Sequence, residues 1–164
     1  MITMFRMLLI ACLILPFAAC KKEEAAAPVE VAAAPLAAPT NDDLPAWRAY
    51  VTDVAKRNME GITNSPFVYF LPSEATEGFG GQYERQLEKL ESDLSRGIIA
   101  GNMLVFASPS STKMAEMATV AFAQVGQGTM KGVKVLFIGN AADSEKVKAA
   151  AEPAGVNYIF VEAK

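Results

Sequence analysis

The 164-residue chain contains no histidine. This absence excludes histidine-based catalytic triads, histidine proton shuttles and histidine-ligated metals, and it leaves carboxylates, hydroxyls, lysine and tyrosine to carry any chemistry. Both cysteines, Cys12 and Cys20, lie within the first 20 residues, so the remainder of the chain has no thiol for a disulfide, a zinc site or a nucleophile. The sequence therefore predicts no metal and no cofactor, and it favours a non-enzymatic protein over an enzyme.

The chain also lacks an excess of basic charge and a long apolar run. It has 15 basic and 18 acidic residues, which gives a formal net charge of −3, and no basic stripe that could follow a phosphate backbone, so nucleic acid is not an expected partner. The apolar run Met7–Phe17 is too short to cross the hydrocarbon core of a bilayer, which needs about 20 residues. With 52% apolar residues, the length suits one globular domain.

Residues 1–19 have the order of a secretory signal peptide. Arg6 supplies a short basic end, the run Met7–Phe17 supplies the apolar region, and two alanines precede Cys20. We therefore expect residues 1–19 to be cleaved from the mature protein.

The motif Phe17–Cys20, which reads Phe-Ala-Ala-Cys, resembles the lipobox of bacterial lipoproteins. That resemblance implies acylation of the Cys20 thiol, cleavage before Cys20, and attachment to a membrane through lipid alone. Each buried methylene contributes about 0.8 kcal/mol, so three acyl chains would hold the protein essentially permanently. In lipoproteins of Gram-negative bacteria an aspartate after the cysteine commonly retains the protein at the inner membrane. Lys21 in that position implies the outer membrane, with the folded domain facing the periplasm.

Residues 20–41 form a segment rich in alanine and proline between the leader and the domain. The segment has no aromatic residue, and Pro28, Pro35 and Pro39 interrupt any helix. Such a stretch cannot bury enough surface to offset the entropy lost on ordering. We therefore expect a disordered tether over residues 20–41 and a folded domain over residues 42–164.

The pattern of apolar residues in the domain alternates helices with strands. Helices are predicted from residue 44 to near Gly61 and over about 83–98, 113–125 and 143–151, and strands over 67–71, 103–106, 133–138 and 158–161. The first strand, Phe67–Leu71, is a continuous apolar run that is typical of a strand buried on both faces.

This alternation predicts an α/β fold, because helical crossovers connect parallel strands. We expect a small three-layer sandwich in which helices cover both faces of a mainly parallel sheet of about four strands, although the sequence leaves the strand order open. The pattern broadly resembles the flavodoxin or thioredoxin-like class of small α/β folds.

Polar residues that follow the predicted strands form the candidate ligand site, since ligands of open parallel sheets bind beyond the carboxyl ends of the strands. The hydroxyl-rich segment 108–113, called the hydroxyl turn below, begins a helix whose free N–H groups could hold a phosphate or carboxylate. Its hydroxyls could equally serve only to cap that helix. The candidate residues are Ser108, Ser110, Ser111, Thr112, Lys113, Asn140 and Asp143.

A second glycine-rich segment, Gly78–Gly81, follows the first predicted strand, but Tyr83 stands where a dinucleotide-binding fingerprint needs its third glycine. A flexible connection that leads into a helix is the simpler interpretation.

Two hypotheses about function follow. In the first, the protein is a lipid-anchored, non-enzymatic periplasmic module that binds another envelope protein or a cell-wall component. In the second, the hydroxyl turn, together with Asn140 and Asp143, binds a phosphate-type or nucleotide-type ligand, or supports a weakly marked hydrolase in which Ser110 or Ser111 acts with Lys113.

Overall fold

The computed structural model describes residues 34–164. The predicted signal peptide, Cys20 and the tether as far as residue 33 lie outside the described residues. The helices are α1 (Leu44–Arg57), α2 (Phe79–Ser95), α3 (Ser111–Phe122) and α4 (Ala141–Ala151), and the strands are β1 (Phe67–Phe70), β2 (Met103–Ala107), β3 (Lys134–Gly139) and β4 (Asn157–Glu162). None of the helices in this part of the chain is long and apolar enough to span a membrane.

The four strands form one parallel sheet in the order β1-β2-β3-β4. Phe106, Phe137 and Phe160 mark the register on three adjacent strands. Since each crossover steps to the next strand in the same direction and is right-handed, α2, α3 and α4 lie on one face of the sheet, and α1 covers the other. The predicted α/β class, the three layers and the four parallel strands are confirmed.

The three-helix face holds the larger core. Tyr69 and Phe106 are fully buried there, with ring centroids 5.3 Å apart. Leu90 of α2, Met114 of α3 and Val147 of α4 pack against this layer and are also fully buried. Each helix thus contributes apolar side chains to the same core, as their amphipathic spacing requires.

The opposite face is covered by α1 alone. Trp47, Tyr50, Val51, Val54 and Ala55 of this helix are buried against β2 and β3. A helix is about 10 Å wide with its side chains, whereas four strands at roughly 4.8 Å spacing are nearly twice as wide. The outer strands on this face therefore receive less cover than the inner ones.

Strand β1 shows the consequence. Val68 is 44% exposed, so the prediction that Phe67–Leu71 is buried on both faces was wrong. A short apolar run does not distinguish a central strand from an edge strand, because the difference depends on which strands flank it.

Residues 36–41 lie against the domain. The Leu36 N–H donates to the Asp53 carboxylate at 3.1 Å, the Ala38 N–H donates to the Lys164 carbonyl at 3.2 Å, and the Trp47 indole N–H donates to the Asn41 carbonyl at 2.8 Å. Ala38 is buried in the same apolar cluster as Trp47. The placement of the domain start at residue 42 is therefore corrected: the packed part of the chain begins near Leu36.

Two other boundaries differ from the predicted ones. Helix α2 starts at Phe79, directly after Gly78 in the left-handed region at φ 75°, so most of the predicted glycine-rich connection forms the first turn of α2. Helix α4 starts at Ala141, two residues before the predicted start, and Asn140 occupies its N-cap position.

The contacts of residues 36–41 predict a stability effect. Deletion of residues 34–41 should remove these hydrogen bonds, each worth about 1 kcal/mol, and lower the thermal midpoint by several degrees. Deletion of residues 24–33 is the matched control and should leave the midpoint unchanged. Calorimetry of the two variants checks this, and equal midpoints would show that residues 36–41 contribute nothing to folding.

Candidate functional site

The hydroxyl turn joins β2 to α3 at the carboxyl edge of the sheet. Its first half bonds to the segment that follows β1. The Ser108 hydroxyl donates to the Pro72 carbonyl at 3.4 Å and accepts the Ser110 N–H at 2.9 Å. The Ser110 hydroxyl accepts the Glu74 N–H at 2.8 Å. Ser110 stands at the N-cap of α3, but its side chain makes no capping bond, so this hydroxyl connects two segments and does not cap the helix.

The second half of the turn bonds to the start of α4. The Ser111 hydroxyl accepts the Asn140 N–H at 2.9 Å, and the Thr112 hydroxyl donates to the Asp143 carboxylate at 3.1 Å. A Cβ atom at Gly139 would lie 2.5 Å from the Ser111 Oγ, so only glycine permits this approach. The hydroxyl turn therefore holds together the segments that follow β1, β2 and β3.

Asp143 adds a buried negative charge to this arrangement. It is 4% exposed. Burial alone would raise its pKa, but hydrogen bonds from Ser111, Lys146 and Thr112 outweigh burial and lower the pKa below its ordinary value. The carboxylate is thus ionised at neutral pH, and it repels phosphate or carboxylate ligands at this edge of the sheet.

The side chain of Lys113 is separated from the other candidate residues, although its backbone N–H donates to the Ser110 carbonyl at 3.0 Å. Its ammonium donates to the Glu116 carboxylate at 2.9 Å, and it lines a shallow depression with Phe79 and Tyr83. Ser108, Ser111 and Asn140 line a different cavity of about 350 Å³. The structure thus brings six of the seven predicted residues together by hydrogen bonds and leaves out the one cation that was expected to hold an anion.

The same ion pair bears on the hydrolase hypothesis. The hydrogen bond to Glu116 raises the pKa of Lys113, so its ammonium keeps its proton at neutral pH. A protonated amine cannot accept a proton from a serine nucleophile.

Within residues 34–164, no group of three or more cysteine, aspartate or glutamate side chains could hold a metal ion.

A buried carboxylate lies under α2 on the three-helix face. Asp93 accepts hydrogen bonds from Tyr69 at 2.8 Å, Lys89 at 2.6 Å and Arg96 at 3.0 Å. Burial raises its pKa, and the bonds from Lys89 and Tyr69 lower it by more, so the net shift is downward. Asp93 and Lys89 belong to α2, Arg96 is the C-cap of α2, and Tyr69 belongs to β1. This cluster is therefore part of the packing of α2 on β1.

An apolar groove, which the sequence did not predict, lies between α1 and β1. It has a volume of about 510 Å³ and is called the α1–β1 groove below. Val51, Ala55 and Met59 form its α1 side, and Val68 and Phe70 form its β1 side. Strand β1 lies at an edge of the sheet, and among residues 34–164 no strand lies on its outer side.

Two cations stand on the rim of the α1–β1 groove. Arg48 and Lys56 are both exposed and both line the groove. Neither has an ion-pair partner within residues 34–164, whereas Arg57 on the same helix pairs with Asp53 at 2.8 Å. The groove therefore combines an apolar floor with two exposed cations on its rim. The hydrogen bond from Arg57 lowers the pKa of the Asp53 carboxyl, and Lys56 is near enough to Asp53 to lower it further. The helical spacing of Arg48 and Lys56 was visible in the sequence, but their position beside an open edge strand was not.

Comparison of the chain with protein-family models, with curated proteins and with solved structures finds no match.

The lowered pKa values of Asp143 and Asp93 predict acid sensitivity. A carboxyl whose folded pKa lies below its unfolded value of about 3.9 stabilises the fold above that value and loses the contribution as pH falls through the folded pKa. The free energy of unfolding should therefore be level from about pH 7 to pH 5 and fall below about pH 4. Asp143→Asn should lower it at pH 7 and make the decline in acid shallower.

Chemical denaturation at a series of pH values measures this dependence. Asp42→Asn, at an exposed position, is the matched control and should follow the unsubstituted protein. An acid limb of the same slope in Asp143→Asn would mean that the pKa of Asp143 does not differ between the folded and unfolded states.

Proposed function

We propose that this chain is a lipid-anchored lipoprotein of the bacterial envelope whose domain works by binding a partner and not by catalysis. The α1–β1 groove is the observation that carries the binding part of the proposal. Exposed apolar surface with a defined shape on a small domain is typical of an interaction site, and here it coincides with an edge strand and two unpaired cations.

The anchoring part of the proposal rests on the sequence. The signal-peptide pattern of residues 1–19 and the lipobox-like motif before Cys20 support acylation of Cys20, and Lys21 supports the outer membrane. The packed domain begins near Leu36, so the chain between Cys20 and Leu36 could span at most roughly 50 Å if fully extended. The domain would then face the periplasm within reach of another envelope protein or a cell-wall component.

The hydroxyl turn gives less support to the alternative, a phosphate-type ligand site or a hydrolase. Its hydroxyls are engaged in bonds to Pro72, Glu74, Asn140 and Asp143. Ligand binding there would require those bonds to be exchanged beside the ionised carboxylate of Asp143. The α1–β1 groove needs no such exchange, since its floor is already exposed.

The anchoring part predicts that Cys20→Ala abolishes acylation, because only the sulfur can accept the diacylglyceryl group. Metabolic labelling with a palmitate analogue should mark the natural chain and leave the variant unmarked, with the uncleaved precursor accumulating. Cys12→Ala is the matched control and should be labelled normally. Label retained on Cys20→Ala would refute the anchor.

The binding part predicts site-specific crosslinking from the groove. A photoreactive residue at position 68 of the acylated full-length chain should give a discrete adduct in the native envelope, because Val68 is 44% exposed in the floor of the groove. Position 120 is the matched control, since Val120 is 47% exposed on α3 and lies on the opposite face of the sheet. Equal adducts from both positions, or none from position 68, would count against the groove as the binding surface.

A further inference from the structure

We infer that the α1–β1 groove receives an extended acidic segment of a partner protein, which adds to the free edge of β1 as a fifth strand and places carboxylates beside Arg48 and Lys56. This inference rests on the proposed function and specifies the chemistry of the partner. Three properties of the groove carry it: the free strand edge, the apolar floor and the spacing of the two rim cations.

The free edge of β1 favours a peptide as the occupant of the groove. The Leu71 N–H donates to the Ala107 carbonyl on β2, and backbone groups alternate in direction along a strand, so those of Tyr69 also point toward β2 and those of Val68 and Phe70 point away from it. Within residues 34–164, the sheet has no strand on that side. An acyl chain could fill the apolar floor but could not bond to these N–H and C=O groups, whereas an added strand satisfies both.

The floor sets the character of the central residue of such a segment. The side chains of Val68 and Phe70 project into the groove beside Ala55 and Met59. A small or medium apolar side chain on the α1 side of the added strand would cover them. Burial of that surface would supply the sequence-independent part of the binding free energy.

The rim sets the positions of the acidic residues. Arg48 and Lys56 are eight positions apart on α1, which is about 12 Å along the helix axis. Residues four apart on one face of a strand are separated by about 13 Å. The spacing therefore matches a segment with acidic residues at positions i and i+4 and an apolar residue between them at i+2.

The charge of the rim argues against a second copy of this chain as the occupant. Antiparallel pairing of two β1 strands would place both copies of α1 on the same face of a continuous sheet. Arg48 and Lys56 of each copy would then face the like charges of the other. A negatively charged partner removes this repulsion.

A peptide titration tests the inference on the mature chain, residues 20–164, that carries Cys20→Ser. The probe is the blocked peptide Thr-Glu-Thr-Val-Thr-Glu-Thr, and the control peptide has lysine in place of both glutamates. An NMR titration that follows chemical shifts should show a lower dissociation constant for the acidic peptide, by roughly fivefold for each charge pair. The affected amides should lie in residues 67–70 and along α1.

Charge reversal sharpens the test. Lys56→Glu should weaken binding of the acidic peptide and strengthen binding of the lysine peptide, and Arg48→Glu should act in the same way. Arg85→Glu, an exposed substitution on α2, is the matched control and should change neither affinity. Methylation of the peptide's own backbone nitrogens at the positions that would face β1 should abolish binding, because the peptide then cannot donate hydrogen bonds to the edge of β1.

Three results would overturn the inference. Equal affinity for the two peptides, unchanged by Lys56→Glu, would show that the partner segment is not selected for acidic residues. Binding seen only after deletion of residues 23–33 would assign the groove to the chain's own segment. A dimer in sedimentation that Val68→Asp dissociates would assign it to a second copy. If a photoreactive residue at position 68 gives no adduct in the envelope, the proposed function itself is rejected. If it gives an adduct but peptide binding does not depend on charge, only this inference is rejected.

Discussion

The order of the strands is the constraint on which the other features of this structure depend. A parallel sheet whose spatial order equals its chain order needs three crossovers in one direction, and their common handedness places α2, α3 and α4 on one face. Only α1, which precedes the first strand, remains for the opposite face. One helix cannot cover four strands, so the domain has one fully covered face and one partly covered face.

The sheet is covered to different extents on the two sides of α1. Toward β4, residues 36–41 extend the cover through the bond between Ala38 and Lys164 and the bond between Leu36 and Asp53. Toward β1 no described segment performs this task, and Val68 stays 44% exposed. Of the two edge strands, β1 and β4, β1 is thus the one whose apolar side chains lack cover on this face. For this reason the apolar groove and the free edge of β1 coincide.

The carboxyl edge of the sheet, where ligands of α/β proteins commonly bind, is closed in this domain by internal hydrogen bonds. Ser108 and Ser110 bond to the segment after β1, while Ser111 and Thr112 bond to the start of α4. Gly139 allows the last of these contacts by leaving room for the Ser111 hydroxyl. The edge acts as a structural joint between three loops, and the surface available for recognition lies along the side of the sheet.

The sequence by itself determined the class of fold, because the alternation of apolar runs with amphipathic segments is local information. It also contains the lipobox-like motif before Cys20 and the hydroxyl turn. Only the tertiary structure decided which strand is an edge, which residues of the turn meet Asn140 and Asp143, and that Lys113 pairs with Glu116 instead. It likewise decided that Leu36 and Ala38 belong to the domain. Apart from the Lys113–Glu116 pair, which lies within one turn of α3, each of these depends on contacts between residues distant in the chain. The strand order that brings such residues together leaves no periodic signal in any one segment.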